Sequence, residues 1–187
     1  VFDPSNLSKD YFGLEIGAKL VYDYTEYYVN EEPESSYYVQ TVVSTLPENP
    51  NVFNVQSNHP EFPEKGSSGW YYLKEADNYY YYGFWRDRSS EKDDVKFDNP
   101  YTRLYMINPI YEGFNHYSWG IAKRKEKINV PAGTFEAWYF EYHEVNEHNH
   151  TWFVPYLGVV KSEIYVIRDG KETPDYAKVL KAYSFPN

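Results

Sequence analysis

The sequence predicts a mainly β protein: a single antiparallel sheet curved into a half-barrel or open barrel, with little helix. Three observations carry that expectation. Aromatic residues fill 21% of the 187 positions, with 23 Tyr against one Met, and Tyr, Trp, Val and Ile favour the pleated surface of a sheet over a helix. Apolar residues alternate with a period of two in segment after segment, and no stretch sustains a 3.6-residue period. Turn formers separate those segments, most clearly Pro131-Ala132-Gly133 and Asp169-Gly170.

Residues 1–10 hold turn formers with little periodicity and read as a flexible leader, so the expected domain is 11–187. Lys19 to Val29 is the first strand, with Leu20, Tyr22 and Tyr24 on one face. An acidic turn cluster, residues 30–36, leads to a second strand from Tyr37 to Thr45. Pro47, Pro50, Pro60 and Pro63 interrupt the next stretch, residues 46–68, and leave room only for a short strand around Val52 to Gln56. Gly69 to Lys74 and Tyr79 to Arg86 form a hairpin across Glu75–Asn78. In its second strand Tyr79, Tyr81 and Trp85 point one way and Tyr80, Tyr82 and Phe84 the other. A strand aromatic on both faces needs cover on both sides or a face given to a ligand.

Asp87 to Pro100 reads as a charged loop, and Tyr101 to Ile107 as a strand. A segment from Pro109 through Trp119 and Ile121 reaches Val130 and pairs with Thr134 to Val145 across the Pro-Ala-Gly turn, read as a three-residue hairpin with a bulge. Its Pro109 to Gly113 echoes Gly13 to Gly17, an apolar residue and a Gly at matching spacing, as two related half-sheets would show. A second turn is expected at Asn146–Asn149. Then Pro155 to Gly158 kinks or bulges a strand that continues to Arg168, and Pro174 lengthens the next connection before a closing strand, Tyr176 to Phe185.

The charge balance excludes one class of partner. A net charge of −10 and a pI near 5.0 leave too few cations to displace counterions from phosphates, so no nucleic-acid partner is expected. The basic run Lys123 to Lys127 reads instead as a protected edge strand. With no Cys there are no disulfides or thiolate metal sites. No apolar run approaches the ~20 residues of a membrane span.

Taken in order, Tyr11 to Gly17, Val130 to Ala137 and Trp152 to Lys161 resemble uncharacterised secreted or lipid-anchored bacterial envelope proteins related to the lipoprotein carrier and receptor superfamily. The resemblance implies a curved antiparallel half-barrel and a periplasmic, outer-membrane-anchored or secreted location; anchoring would require a lipidated Cys upstream of Val1. It implies no catalytic residues. The helices that plug the carrier's barrel have no counterpart, so lipoprotein transport is not carried over.

Among possible sites, His143, His148 and His150 crowd one hairpin, but the zinc-protease pattern needs two His four apart on a helix, and position 147 is Glu. The reading is a solvated tip, with a metal only adventitious. Asp93, Asp94 and Asp98 lack the spacing of a calcium loop. There is no nucleophile elbow, P-loop or dinucleotide fingerprint, and no cofactor or catalytic residue is expected. The expected function is non-catalytic. A concave aromatic face, with Tyr79, Tyr81, Trp85, Trp119, Trp138 and Trp152 as its lining, would hold an apolar or amphipathic small molecule or an envelope protein. The alternatives are a carbohydrate-binding surface protein, with Trp70 and Trp85 stacking on sugars, and a structural subunit of an extracellular assembly.

Overall fold

The computed structural model describes residues 7–29, 31–58, 67–88, 91–92, 96–97 and 104–186. They form a 14-stranded antiparallel sheet that curls almost into a closed barrel, with no helix among them. The strands are β1 (Lys19–Glu26), β2 (Glu34–Leu46), β3 (Asn49–Asn58), β4 (Ser67–Glu75), β5 (Asn78–Arg88), β6 (Glu91–Lys92), β7 (Lys96–Phe97), β8 (Leu104–Ile107), β9 (Asn115–His116), β10 (Gly120–Val130), β11 (Gly133–His143), β12 (Glu147–Val154), β13 (Gly158–Arg168) and β14 (Lys171–Ser184). Neighbours in the sheet are mostly neighbours in sequence, and the first and last long strands, β1 and β14, pair with each other.

The echo between Gly13–Gly17 and Pro109–Gly113 has a structural counterpart. Ala18 N–H donates to the Glu15 carbonyl and Phe114 N–H to that of Tyr111. Gly17 and Ala18 bracket Val42 by two backbone bonds, as Gly113 and Phe114 bracket Ala122. Leu14 and Ile110, like Ala18 and Phe114, are buried in the same core. Just beyond, the β2–β3 ladder shifts register between Val42 and Ser44, and the β10–β11 ladder between Ala122 and Arg124. The pieces β6 to β8 then stand against β5 as β14 stands against β13. The barrel is two topologically alike halves.

Several boundaries depart from the sequence reading, each for a local reason. Pro155–Leu157 reverses the chain rather than kinking a strand: Tyr156 at φ +66° and Gly158 at φ +115° let Val154 and Gly158 face each other at a hairpin end. The stretch around the Pro-Ala-Gly turn therefore holds one more strand reversal than expected. That turn itself is one residue tighter, since Val130 pairs with Gly133, whose φ of +144° lies outside the helical left-handed well. The next reversal falls at Glu144–Asn146, so His148 and Asn149 are already in β12. Asp169 and Gly170 form a two-residue turn with φ of +51° and +71°, as Asp-Gly prefers. Pro174 does not lengthen it: it sits in β14 opposite Tyr165, where the ladder shifts and a missing N–H costs least.

β3 is also longer than the prolines suggested, because Pro47 occupies the turn and Pro50 lies where pairing breaks between Thr45 and Leu46. Part of the expected 87–100 loop is strand, and the calcium candidates Asp93, Asp94 and Asp98 lie outside the described residues. Residues 8–10 belong to the fold. Ser8 and Asp10 are buried, and the Asp10 carboxylate accepts from the N–H groups of Phe12 and Leu14, from Tyr79 Oη at 3.0 Å and from Lys74 Nζ at 2.5 Å.

Over Tyr79–Tyr82 both faces of β5 are covered. Tyr79 and Tyr81 turn to the main core with Met106, Phe140 and Phe153, while Tyr80 and Tyr82 pack over Val52, Tyr71 and Leu73 in a smaller cluster. A third cluster, around Tyr22, Phe135, Leu157 and Leu180, lies where the β10–β11 hairpin bends onto β14, its Ala132 N–H donating to the Leu180 carbonyl. Most of β10 is an edge strand, since β9 covers only Gly120 and Ile121. Lys123, Arg124 and Lys125 accordingly sit on an edge, engaged with Glu141, Glu126 and the Trp138 ring.

Candidate functional site

A barrel built on a path of twelve strands is wider than its own side chains readily fill. Here a cavity of about 400 Å³ remains inside it, within the range of small-molecule sites. One wall is aliphatic, from Leu14 and Leu20 to Val42 and Val55. The other is aromatic: Phe12, Trp70, Tyr72, Tyr81, Tyr105 and Trp119. Tyr117, more than half exposed, joins the lining, so the cavity reaches the surface beside the β9–β10 turn.

The aromatic wall is held by its own ring packing, edge-to-face between Phe12 and both Tyr72 and Tyr105 and stacked between Phe12 and Phe153. Phe12 sits at the centre, its ring 5.4 Å from those of Tyr72 and Tyr105 and 5.8 Å from Phe153. The residue reaches that place because the short segment before β1 turns inward on Asp10. Behind Trp119 lies His116, stacked at 3.9 Å, its Nδ1 accepting from the N–H groups of Ser118 and Trp119. Nε2 therefore carries the ring proton and is buried without a hydrogen-bond partner. Burial holds this imidazole well below its usual pKa, so it is a neutral, structural ring.

The lining also carries polar side chains, chiefly tyrosine hydroxyls with Ser118 and the Gln40 amide. Burial pushes the lining hydroxyls of Tyr38 and Tyr105 up to about 12 and those of Tyr72, in the lining, and Tyr22, outside it, well above the phenol range, so all are neutral donors at physiological pH. Tyr38 spends its donor on Ser57 Oγ at 2.7 Å and Tyr22 on the Val159 carbonyl at 2.8 Å. Among the described residues one charged side chain lines the space. Lys178 enters it from the middle of β14, and loss of hydration lowers its pKa from 10.5 to about 8.

The residues expected to line a binding face are distributed unevenly. Tyr81 and Trp119 line the cavity, as does Trp70. Tyr79 is buried beneath the wall, its hydroxyl bound to Asp10. Trp138 packs against the main core under Lys125 and is not in the lining. Trp152 belongs to the cluster around Tyr22, donating from Nε1 to Glu126 at 2.6 Å, with Lys161 Nζ 4.7 Å from its ring. The side chain of Trp85 lies outside the described residues.

His143, His148 and His150 do gather, on strands β11 and β12. The His143 and His148 rings are 4.0 Å apart, but each imidazole is otherwise engaged: His148 with Glu172, His150 with the Tyr139 hydroxyl, His143 with Glu141. Among the described residues no group of three or more His, Cys, Asp or Glu is placed to hold a metal ion.

Sequence reasoning missed Phe12, Tyr72, Tyr105 and Lys178. The signal for Lys178 was present: in Tyr176-Ala177-Lys178-Val179-Leu180, strand alternation puts the lysine on the face shared by two large residues. Comparison with protein-family models and with curated proteins returns no match to this chain.

Proposed function

We propose that this protein is a non-catalytic secreted or envelope domain that holds an apolar or amphipathic small molecule inside its barrel. The observation that carries the reading is the cavity: about 400 Å³ left open behind aromatic and aliphatic walls, where close-packed interiors leave few voids larger than a water. Its Trp and Tyr rings face inward around a confined space rather than forming an open platform. That favours an apolar occupant over a sugar, which would bring many hydroxyls needing partners.

Trp70 and Trp119 stand in the lining, so occupancy should alter intrinsic fluorescence. The test is a titration with dodecanol, a lysolipid and a neutral detergent, each below its micelle concentration, followed by fluorescence and by thermal unfolding. A saturable one-site response with a raised unfolding temperature is expected. Val55→Trp, which fills the cavity, should abolish it while the far-ultraviolet spectrum stays that of the parent. No response to any of the three, or an undiminished response in the filled variant, overturns the reading.

A further inference from the structure

Lys178 is the feature that a purely apolar occupant leaves unexplained. It is half-buried and lines the cavity, and among the described residues no carboxylate or hydrogen-bond acceptor meets its ammonium. Its neighbours are rings. Nζ lies 5.1 Å from the centroid of Tyr22 and 5.8 Å from that of Tyr38. A lone cation in a protein interior is costly and is ordinarily paired.

The groups gathered around it do not supply a counter-charge. On β1 they are Tyr22 and Tyr24, on β2 Tyr38, on β13 Ser162, on β14 Tyr176 and across the barrel Tyr105. Every one of those phenols is held above its ordinary pKa by burial, so none ionises near neutrality. Tyr24 turns its hydroxyl to Glu26.

We propose that the occupant carries a single carboxylate, which pairs with Lys178 while its apolar body lies against Phe12, Trp70 and Trp119. This rests on the binding reading above and narrows it to a class: fatty acids and aromatic or alicyclic monocarboxylates. One cation matches one negative charge. A phosphate dianion would bring a second charge that nothing described in the lining neutralises. The aromatic rings over the ammonium hold it in place when the cavity is empty, and a carboxylate replaces lost water with a charge-assisted hydrogen bond.

The experiment compares dodecanoate with dodecanol, which has the same chain and no charge, by tryptophan fluorescence in the parent and in Lys178→Met. At about pH 7 the parent should bind the acid about tenfold or more tighter than the alcohol, as a hydrogen bond to a charged group implies. In the variant that preference should vanish while dodecanol still binds. The parent alone gives a second readout: raising the solution to about pH 9.5 removes the proton from Lys178 and should erase most of the preference, while dodecanoate stays ionised.

Equal affinity of the parent for the two ligands overturns the carboxylate inference and leaves the apolar-binding reading standing. A preference that survives in Lys178→Met overturns the assignment to this lysine and shows that another group holds the head. Failure of both ligands to bind the parent overturns the inference together with the reading it rests on.

Discussion

Replacing Lys178 by Met should make the empty protein more stable. The ammonium's pKa of about 8 in the fold, against an ordinary 10.5, corresponds to a penalty of about 3 kcal/mol at 1.36 kcal/mol per pKa unit. Below about pH 8 both folded and unfolded chains hold the proton, and the penalty is present in full. Between there and 10.5 the unfolded chain binds more protons, so stability rises with pH and the penalty disappears. Methionine keeps the length of the side chain and fills the same channel without charge. Against this stands the loss of the contacts with Tyr22 and Tyr38, about 0.5–2 kcal/mol for a cation over aromatic faces. The net gain expected near pH 7 is about 1–3 kcal/mol, a shift of roughly 1 M in the urea midpoint. Unfolding should be followed by fluorescence at about pH 7 and about pH 9.5, with the gain shrinking at the higher pH. An unchanged or lower midpoint for Lys178→Met at neutral pH, or an advantage that does not depend on pH, would refute the argument that this charge is buried without a partner.

Other expectations are as direct. Gly120→Ala should cost more than about 3 kcal/mol or prevent folding, because its Cβ would fall 2.1 Å from the Glu141 carbonyl oxygen at φ +76°. Gly170→Ala, at φ +71° with nothing within 4 Å, should cost only about 1 kcal/mol, and paired thermal melts decide whether the close approach rather than the dihedral dominates. Asp10→Ala strands two backbone N–H groups, the Tyr79 hydroxyl and the Lys74 ammonium, and should lose about 3–5 kcal/mol in urea unfolding; a loss under 1 kcal/mol would mean the segment before β1 is not anchored there. For His116, held well below 6.5 by burial, the unfolded chain takes up a proton that the fold refuses, so stability should fall as pH drops below about 6.5. Its ring resonances should stay flat between about pH 5 and 8, and a titration centred near the ordinary value would contradict the buried placement.

What the sequence reveals about this fold depends on how local the determinant is. Asp169-Gly170 marks its hairpin because a two-residue reversal needs residues that tolerate its dihedrals, and Asp77-Asn78 marks the other although Ala76 beside them takes φ +51°. Period-two alternation places most strands for the same reason. Pro155–Gly158 misleads because Tyr156, a residue with no preference for positive φ, takes φ +66°; only the pairing of β12 with β13 makes that worthwhile. The cavity is legible only in part. Tyr81 and Trp119 are prominent in sequence, but whether a ring lines a space or fills it depends on strands far apart in the chain. Trp138 and Trp152 show this: one packs on the main core beneath Lys125 and the other hydrogen-bonds Glu126. Lys178 and Asp10 are the same lesson for charge. Each reads as a surface residue by type, and each is interior because of what its strand or turn packs against.

The two halves of the barrel are alike in topology but not in how their ends meet, and the cavity follows from that difference. At one junction β1 and β14 share a full ladder from Lys19 and Ser184 to Glu26 and Tyr176. At the other, β8 and β9 are short and no ladder joins them among the described residues. Side chains close this seam instead: Tyr105 from β8 meets the edge of His116 from β9 at 4.3 Å and Trp119 at 5.5 Å. Rings of this size span a gap that backbone hydrogen bonds would have drawn shut, and they hold the sheet open around the space they line. Tyr105 and Trp119 are wall residues of the cavity and also the closure of the barrel. Separating them costs ring contacts of about 0.5–1.5 kcal/mol each and breaks no strand ladder, whereas parting β1 from β14 would break a whole ladder. Among the described residues the seam is therefore held by less than the β1–β14 junction, and it lies beside exposed Tyr117, where the cavity already reaches the surface.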